Sequence, residues 1–170
     1  MSGSKPYAIF DADVIIYLAS IGELELLFKK CEVFLTEIIY NQCQYYEDDR
    51  GRHSINLKEY LEKGKITLLT DIEIEEKVIK VQNRGRDGYF VVHEGELEIV
   101  LFIYKNREYK MCTGDGGAVK FMCALDMSEN LISLEKIIGK QVNYQFSQKK
   151  LKKMIKEGKT MYIQHFWEDI

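Results

Sequence analysis

Residues 7–16 read YAIFDADVII. A short apolar run leads to an aspartate at position 11, a second aspartate stands at 13, and apolar residues resume at Val14. The first run has the length of a buried strand. The second carries apolar residues at helical spacing over 14–30, so the stretch predicts a strand that ends at Asp11 and turns directly into a helix. Such a unit opens a parallel sheet with covering helices. Its two carboxylates raise a chemical question, because an ionised group at the end of a buried strand needs a cation, a donor or solvent beside it.

The same alternation recurs down the chain. Strand-like runs fall at 7–11, 32–35, 66–69, 109–113 and 131–133, and helical stretches at 14–30, 37–46, 54–63, 72–81, 95–106, 116–126 and 148–157. Thr36, Asp71 and Asp115 are placed to cap three of these helices, and Asp13 reads as the cap of the first. Strands alternating with helices predict an α/β fold in three layers, α/β/α, with a mainly parallel central sheet. One proline, no internal repeat and no Gly/Ser-rich linker make 1–170 a single domain, with a C-terminal helix and tail over 136–170. The least regular stretches are 47–53, 82–95 and the tail after Gly158.

The 170 residues carry a formal net charge of −3, which excludes a whole-molecule attraction to nucleic acid and leaves that to local basic patches. No apolar run approaches the roughly 20 residues of a membrane span, and the N-terminus lacks the regions of a signal peptide. A soluble, cytoplasmic protein is expected. Cys31, Cys43, Cys112 and Cys123 form no Cys-x-x-Cys pair and read as reduced core residues. His53, His93 and His165 follow no zinc spacing.

In an open α/β sheet, ligands bind beyond the carboxyl ends of the strands, so acids at strand–helix junctions are the candidates for chemistry. Asp11 closes the first strand. Asp115 repeats the arrangement in YKMCTGDGGAVKFMCAL (109–125), and Glu96 opens the helix of HEGELEIVLFIYKN (93–106), on the stripe of Val100 and Ile103. Each also has a plain structural role, as a cap or as an acid at a helix N-terminus. Gathered in one place, the three would repel one another unless they held a divalent cation or shared protons. Oxygen-only ligation suits Mg²⁺ or Mn²⁺.

On these residues the chain resembles the PIN-domain family of metal-dependent ribonucleases, most strongly over 7–135. FDADVIIYLA is similar to the family's Asp-Thr-Asn-Val-Leu-Leu opening, GELEIVLFI to its Gly-Glu-x-Glu-Ala helix, and TGDGGAVKF to its Thr-x-Asp-x-x-Ala segment. The resemblance implies an endoribonuclease that hydrolyses phosphodiester bonds of single-stranded RNA. Asp11, Glu96 and Asp115 would be its catalytic, metal-holding acids, and Asp13 or Thr113 would orient a water or a phosphate. The family's further glutamate falls at Gln42 in LTEIIYNQC. Glu37, five residues earlier, points roughly 140° away around the helix and reaches the site only if the first turn loosens. The family also implies a homodimer and an inhibitory, antitoxin-like protein partner.

RNA would need basic groups, and Arg50, Arg52, Arg84 and Arg86 supply them on expected loops, with Tyr45, Tyr46 and Tyr89 able to stack on bases. The run QKKLKKMIKEGK (148–159) is basic too and reads first as a solvated helix face. Two other functions fit parts of the pattern. A PIN-like module that binds RNA or protein without catalysis would account for Gln42. A haloacid-dehalogenase-type phosphohydrolase would use Asp11 as nucleophile and Asp13 as general acid.

Overall fold

The fold is taken from a computed structural model that describes residues 3–165, with side chains through 164. Residues 166–170 of the expected tail, and the side chain of His165, lie outside the described residues.

The strands are β1 (Tyr7–Phe10), β2 (Glu32–Leu35), β3 (Tyr45–Asp48), β4 (Gly51–Ser54), β5 (Ile66–Leu68) and β6 (Lys110–Cys112). The helices are α1 (Ala12–Ser20), α2 (Leu24–Lys30), α3 (Glu37–Gln42), α4 (Leu57–Glu62), α5 (Glu76–Gly85), α6 (Glu94–Lys105), α7 (Gly116–Ala124), α8 (Leu134–Ile138) and α9 (Gln148–His165). Among the described residues, β5, β2, β1 and β6 form, in that order, a parallel four-stranded sheet. β1 lies inside it, with Ala8, Ile9 and Phe10 fully buried, as expected of a parallel strand covered on both faces.

The steps β1 to β2 and β2 to β5 run one way along the sheet, and β5 to β6 runs back across it. Right-handed crossovers therefore put α1–α4 over one face and α5–α6 over the other, the three layers expected. α7 joins the second face, packed on α5, and α9 packs on α7.

Several expected boundaries differ. The helix expected over 14–30 is two helices, broken where Gly22 takes a left-handed φ of 73°. The helix over 37–46 stops at Gln42, and the chain then makes the antiparallel hairpin β3–β4, unforeseen because its strands are polar and mostly exposed. Asp71 caps nothing. It has φ 58°, and α5 begins later, at Glu76. Residues 131–133 contribute a single bridge, Leu131 to Met111, rather than a strand. α9 runs through Gly158, where a tail was expected. All four cysteines are buried and free, as their sequence context implied.

Candidate functional site

The chain leaves β1 on one side and returns as β6 on the other. The carboxyl ends of β1 and β6 therefore flank the crevice where open α/β sheets bind ligands. Asp11 follows β1 directly, and its N–H donates to the Cys112 carbonyl of β6 at 3.1 Å. Its carboxylate is buried, 7% exposed. Oδ1 accepts from the Ala12 N–H at 2.8 Å, and Oδ2 accepts from the Thr113 hydroxyl at 3.0 Å. The same Thr113 oxygen accepts from the Asp115 N–H at 3.0 Å, so one buried hydroxyl ties the first acid to the last. Asp115 Oδ1 caps α7 by accepting from the Ala118 N–H at 2.8 Å. Glu96, only 4% exposed, sits in the first turn of α6, and its Oε2 accepts from the His93 N–H at 3.0 Å.

These acids face one cavity of about 270 Å³, whose polar lining is Asp11, Asp13, Glu96, Asp115, Gln42 and His93. Glycines make the convergence sterically feasible. A Cβ on Gly95 would lie 2.7 Å from Ile39 Cδ1, so the start of α6 packs closely on α3 and a side chain there would force the end of Ile39 to shift. A Cβ on Gly117 would lie 2.3 Å from the Val91 carbonyl oxygen, so the segment leading to His93 crosses the first turn of α7 on the same terms. Gly95 directly precedes Glu96 and Gly117 is the second residue after Asp115, but nothing local marks their role, which depends on the neighbouring chain.

Several expected roles are corrected. Asp13 is not the N-cap of α1. Asp11 is, with the extended backbone of a cap (φ −73°, ψ 155°), and Asp13 is an exposed first-turn acid at the mouth of the cavity. Gln42 reaches the cavity from the end of α3, where the missing glutamate was expected. Glu37 does not take its place. It is exposed at the far end of α3 and off the lining, and the first turn is held closed by the Ile39 N–H donating to Thr36 Oγ1 at 3.2 Å. None of the four arginines lines the cavity. Arg50 is in the hairpin turn, and Arg52 is on β4, paired with Glu47 at 3.0 Å and over the Tyr45 ring at 3.9 Å. Arg84 is in the last turn of α5 rather than on a loop, and Arg86 stands just past that helix in the turn over 86–89, as expected. Tyr46 stacks on His53, with ring centroids 4.8 Å apart.

Packing acids together in a buried crevice has the expected electrostatic result. Burial, above all, pushes the Glu96 carboxyl up to about 8. The His93 N–H opposes the shift, while the charges of Asp11 and Asp115 and a side-chain hydrogen bond with Asp11 add to it. The Asp11 carboxyl is also raised, first by burial, against the Thr113 and Ala12 hydrogen bonds and with the charges of Asp13 and Asp115. The field extends below the cavity: the Cys43 thiol is pushed up to about 12 by burial and then by Asp11 and Asp13.

Among the described residues, no three His, Cys, Asp or Glu side chains already form a cation cage. Glu96 and Asp115 each turn one oxygen onto a backbone N–H. The donor chemistry nevertheless fits a hard divalent cation. The donors are carboxylate oxygens, no thiol or paired imidazole is among them, and the protonation of Glu96 is what a positive charge in the crevice would displace. Searches against protein-family models, curated proteins and solved structures find no match for this chain.

Proposed function

We propose that the protein is a Mg²⁺- or Mn²⁺-dependent endoribonuclease of PIN type that hydrolyses phosphodiester bonds in single-stranded RNA. The observation that supports this reading is the meeting of Asp11, Glu96 and Asp115 in one crevice at the switch point of the sheet, tied by Thr113. Their oxygens would hold one or two divalent cations. A cation bound there supplies Lewis-acid charge that eases deprotonation of water and offsets charge building on the phosphate. The chain's own residues do the rest. Thr113 fixes the orientation of Asp11, the Ala118 and His93 N–H groups hold Asp115 and Glu96, and Asp13, exposed on the cavity lining, would accept a hydrogen bond from the incoming water.

Cleavage of a single-stranded RNA by the purified protein with Mn²⁺, with and without chelator, is the test. Asp11→Asn keeps the shape of the side chain while removing its charge. It is expected to abolish cleavage, by on the order of a hundredfold or more, with the circular dichroism spectrum unchanged. Cleavage that survives the substitution rejects the site. RNA binding with no cleavage by the wild type marks a binding module instead, and hydrolysis of a simple phosphomonoester in place of RNA marks a phosphohydrolase.

A further inference from the structure

Beside the acid crevice a second, larger depression of about 630 Å³ follows the seam of α7 and α9. Its lining includes Lys120, Lys153, Lys156, Thr160, Gln164 and Tyr89. The α9 members recur at spacings of three and four residues, which sets them in one stripe roughly 16 Å long at 1.5 Å per residue. The inward stripe of the same helix is Leu151, Met154 and Gly158, all buried, so the depression runs along the edge of the helix rather than into the core. Lys120 comes from α7, five residues and roughly 7 Å beyond Asp115.

A short ledge of chain joins this groove to the acid crevice. Tyr89 lines the groove, the Val91 carbonyl lies over Gly117 in the first turn of α7, and His93 lines the crevice. The charges on either side of the ledge are opposite. Away from the groove, Lys58, Lys63, Lys80, Lys105 and Lys140 each pair with a glutamate. Among the described residues Lys120, Lys153 and Lys156 have no such pair, and Glu157 is the one acid in the lining. Closely spaced ammonium groups with no carboxylate partner repel one another, and a row of phosphates relieves that repulsion with release of counterions.

We propose that this lysine-lined groove binds the backbone phosphates of the RNA strand whose scissile phosphate occupies the acid crevice. The proposal rests on the nuclease reading for the identity of the ligand. A single strand, flexible and charged at every residue, is able to follow the ledge from groove to crevice.

The experiment measures fluorescence anisotropy of a labelled single-stranded oligoribonucleotide against salt concentration, using the Asp11→Asn protein in Mn²⁺ so that nothing is cleaved. Into it go the pair Lys153→Glu/Lys156→Glu and its neutral counterpart Lys153→Gln/Lys156→Gln. The control Lys29→Glu/Lys30→Glu, on the exposed end of α2, makes the same change of net charge elsewhere. Loss of two phosphate contacts is expected to weaken binding about tenfold or more and to flatten the slope of log affinity against log salt by about 1.4, at about 0.7 per phosphate of a single strand. The control pair and Mn²⁺ affinity, read by calorimetry on the otherwise wild-type chain, should not change. RNA affinity and salt slope equal to those of the control overturn the groove, even if the wild type cleaves RNA. Poly-glutamate displacing the RNA at equal charge concentration also overturns it, in favour of an acidic protein partner. Groove variants that lose binding while the wild type cleaves nothing uphold the groove and reject the nuclease.

Discussion

Thr113 does two jobs with one oxygen, donating to Asp11 and accepting from the Asp115 N–H. Gln42, by contrast, brings a neutral amide to the same cavity. Gln42→Glu adds a negative charge to the lining of the crevice that would hold the cation. It is expected to tighten Mn²⁺ binding on the order of tenfold, since at intermediate dielectric such a charge is worth at least about 1.4 kcal/mol. Calorimetric titration with Mn²⁺ checks this, and an unchanged affinity would detach Gln42 from the cation. At this scale the sequence was informative about which residues meet and less so about what each does. Asp11, Glu96 and Asp115 were legible because each stands where a helix begins. The cap of α1 was misassigned between Asp11 and Asp13, because two acids one residue apart both suit a helix start, and only the backbone angles distinguish them. Local composition puts all four arginines on loops, which suits Arg50 and Arg86 but is blind to the ion pair and ring contact that hold Arg52 in a hairpin and to the helix that carries Arg84.

Among the elements, α9 departs furthest from its expected bounds, and Gly158 is the reason. A glycine inside a helix costs about 0.5–1 kcal/mol relative to alanine, so it reads as an end. Here a Cβ would lie 2.8 Å from Cys123 Sγ and 3.0 Å from Cys123 Cβ, and the bare backbone lets α9 lie directly on α7. Opposite signs follow for Gly158→Ala. If propensity ruled, the variant would be more stable. Contact with α7 predicts a loss of about 1–3 kcal/mol from overpacking, read as a lower midpoint in urea unfolding. Stabilisation would remove the close contact and with it the geometry of the lysine groove. Other boundaries failed for comparable reasons. Gly22 breaks a run whose apolar periodicity continues across it, and the polar hairpin lacks the alternation that marks a half-buried strand.

Over the whole molecule, the crowded acids set how stability varies with pH. The Glu96 carboxyl is raised from 4.5 to about 8 in the fold, and Asp11 is raised as well, so the folded chain binds more protons than the unfolded one across that interval. The Glu96 contribution is fully present below pH 4.5 and is lost as pH rises through about 8, and the raised Asp11 acts in the same direction. Without divalent cation the thermal midpoint is therefore expected to fall between pH 5 and pH 8, by an amount on the order of a few kcal/mol of stability. Mn²⁺ should restore more at pH 8 than at pH 5, and Glu96→Gln should flatten the profile. A metal-free midpoint that rises over this interval would contradict the burial of Glu96. The parallel architecture was legible because alternating short and long apolar runs admit few other arrangements. The order of the strands was not, because no local pattern states that the first strand pairs with the last.

That pairing also bears on synthesis. β1 gains its second neighbour only when β6 is made, with Ala8 opposite Lys110 in the register. About a hundred residues intervene, so at roughly 5–20 residues per second the apolar first strand waits for some 5–20 seconds with one row of its backbone N–H and C=O groups unmatched. An open, apolar edge of that kind is a template for other chains, which makes the opening segment of the nascent protein the part most in need of a chaperone's cover.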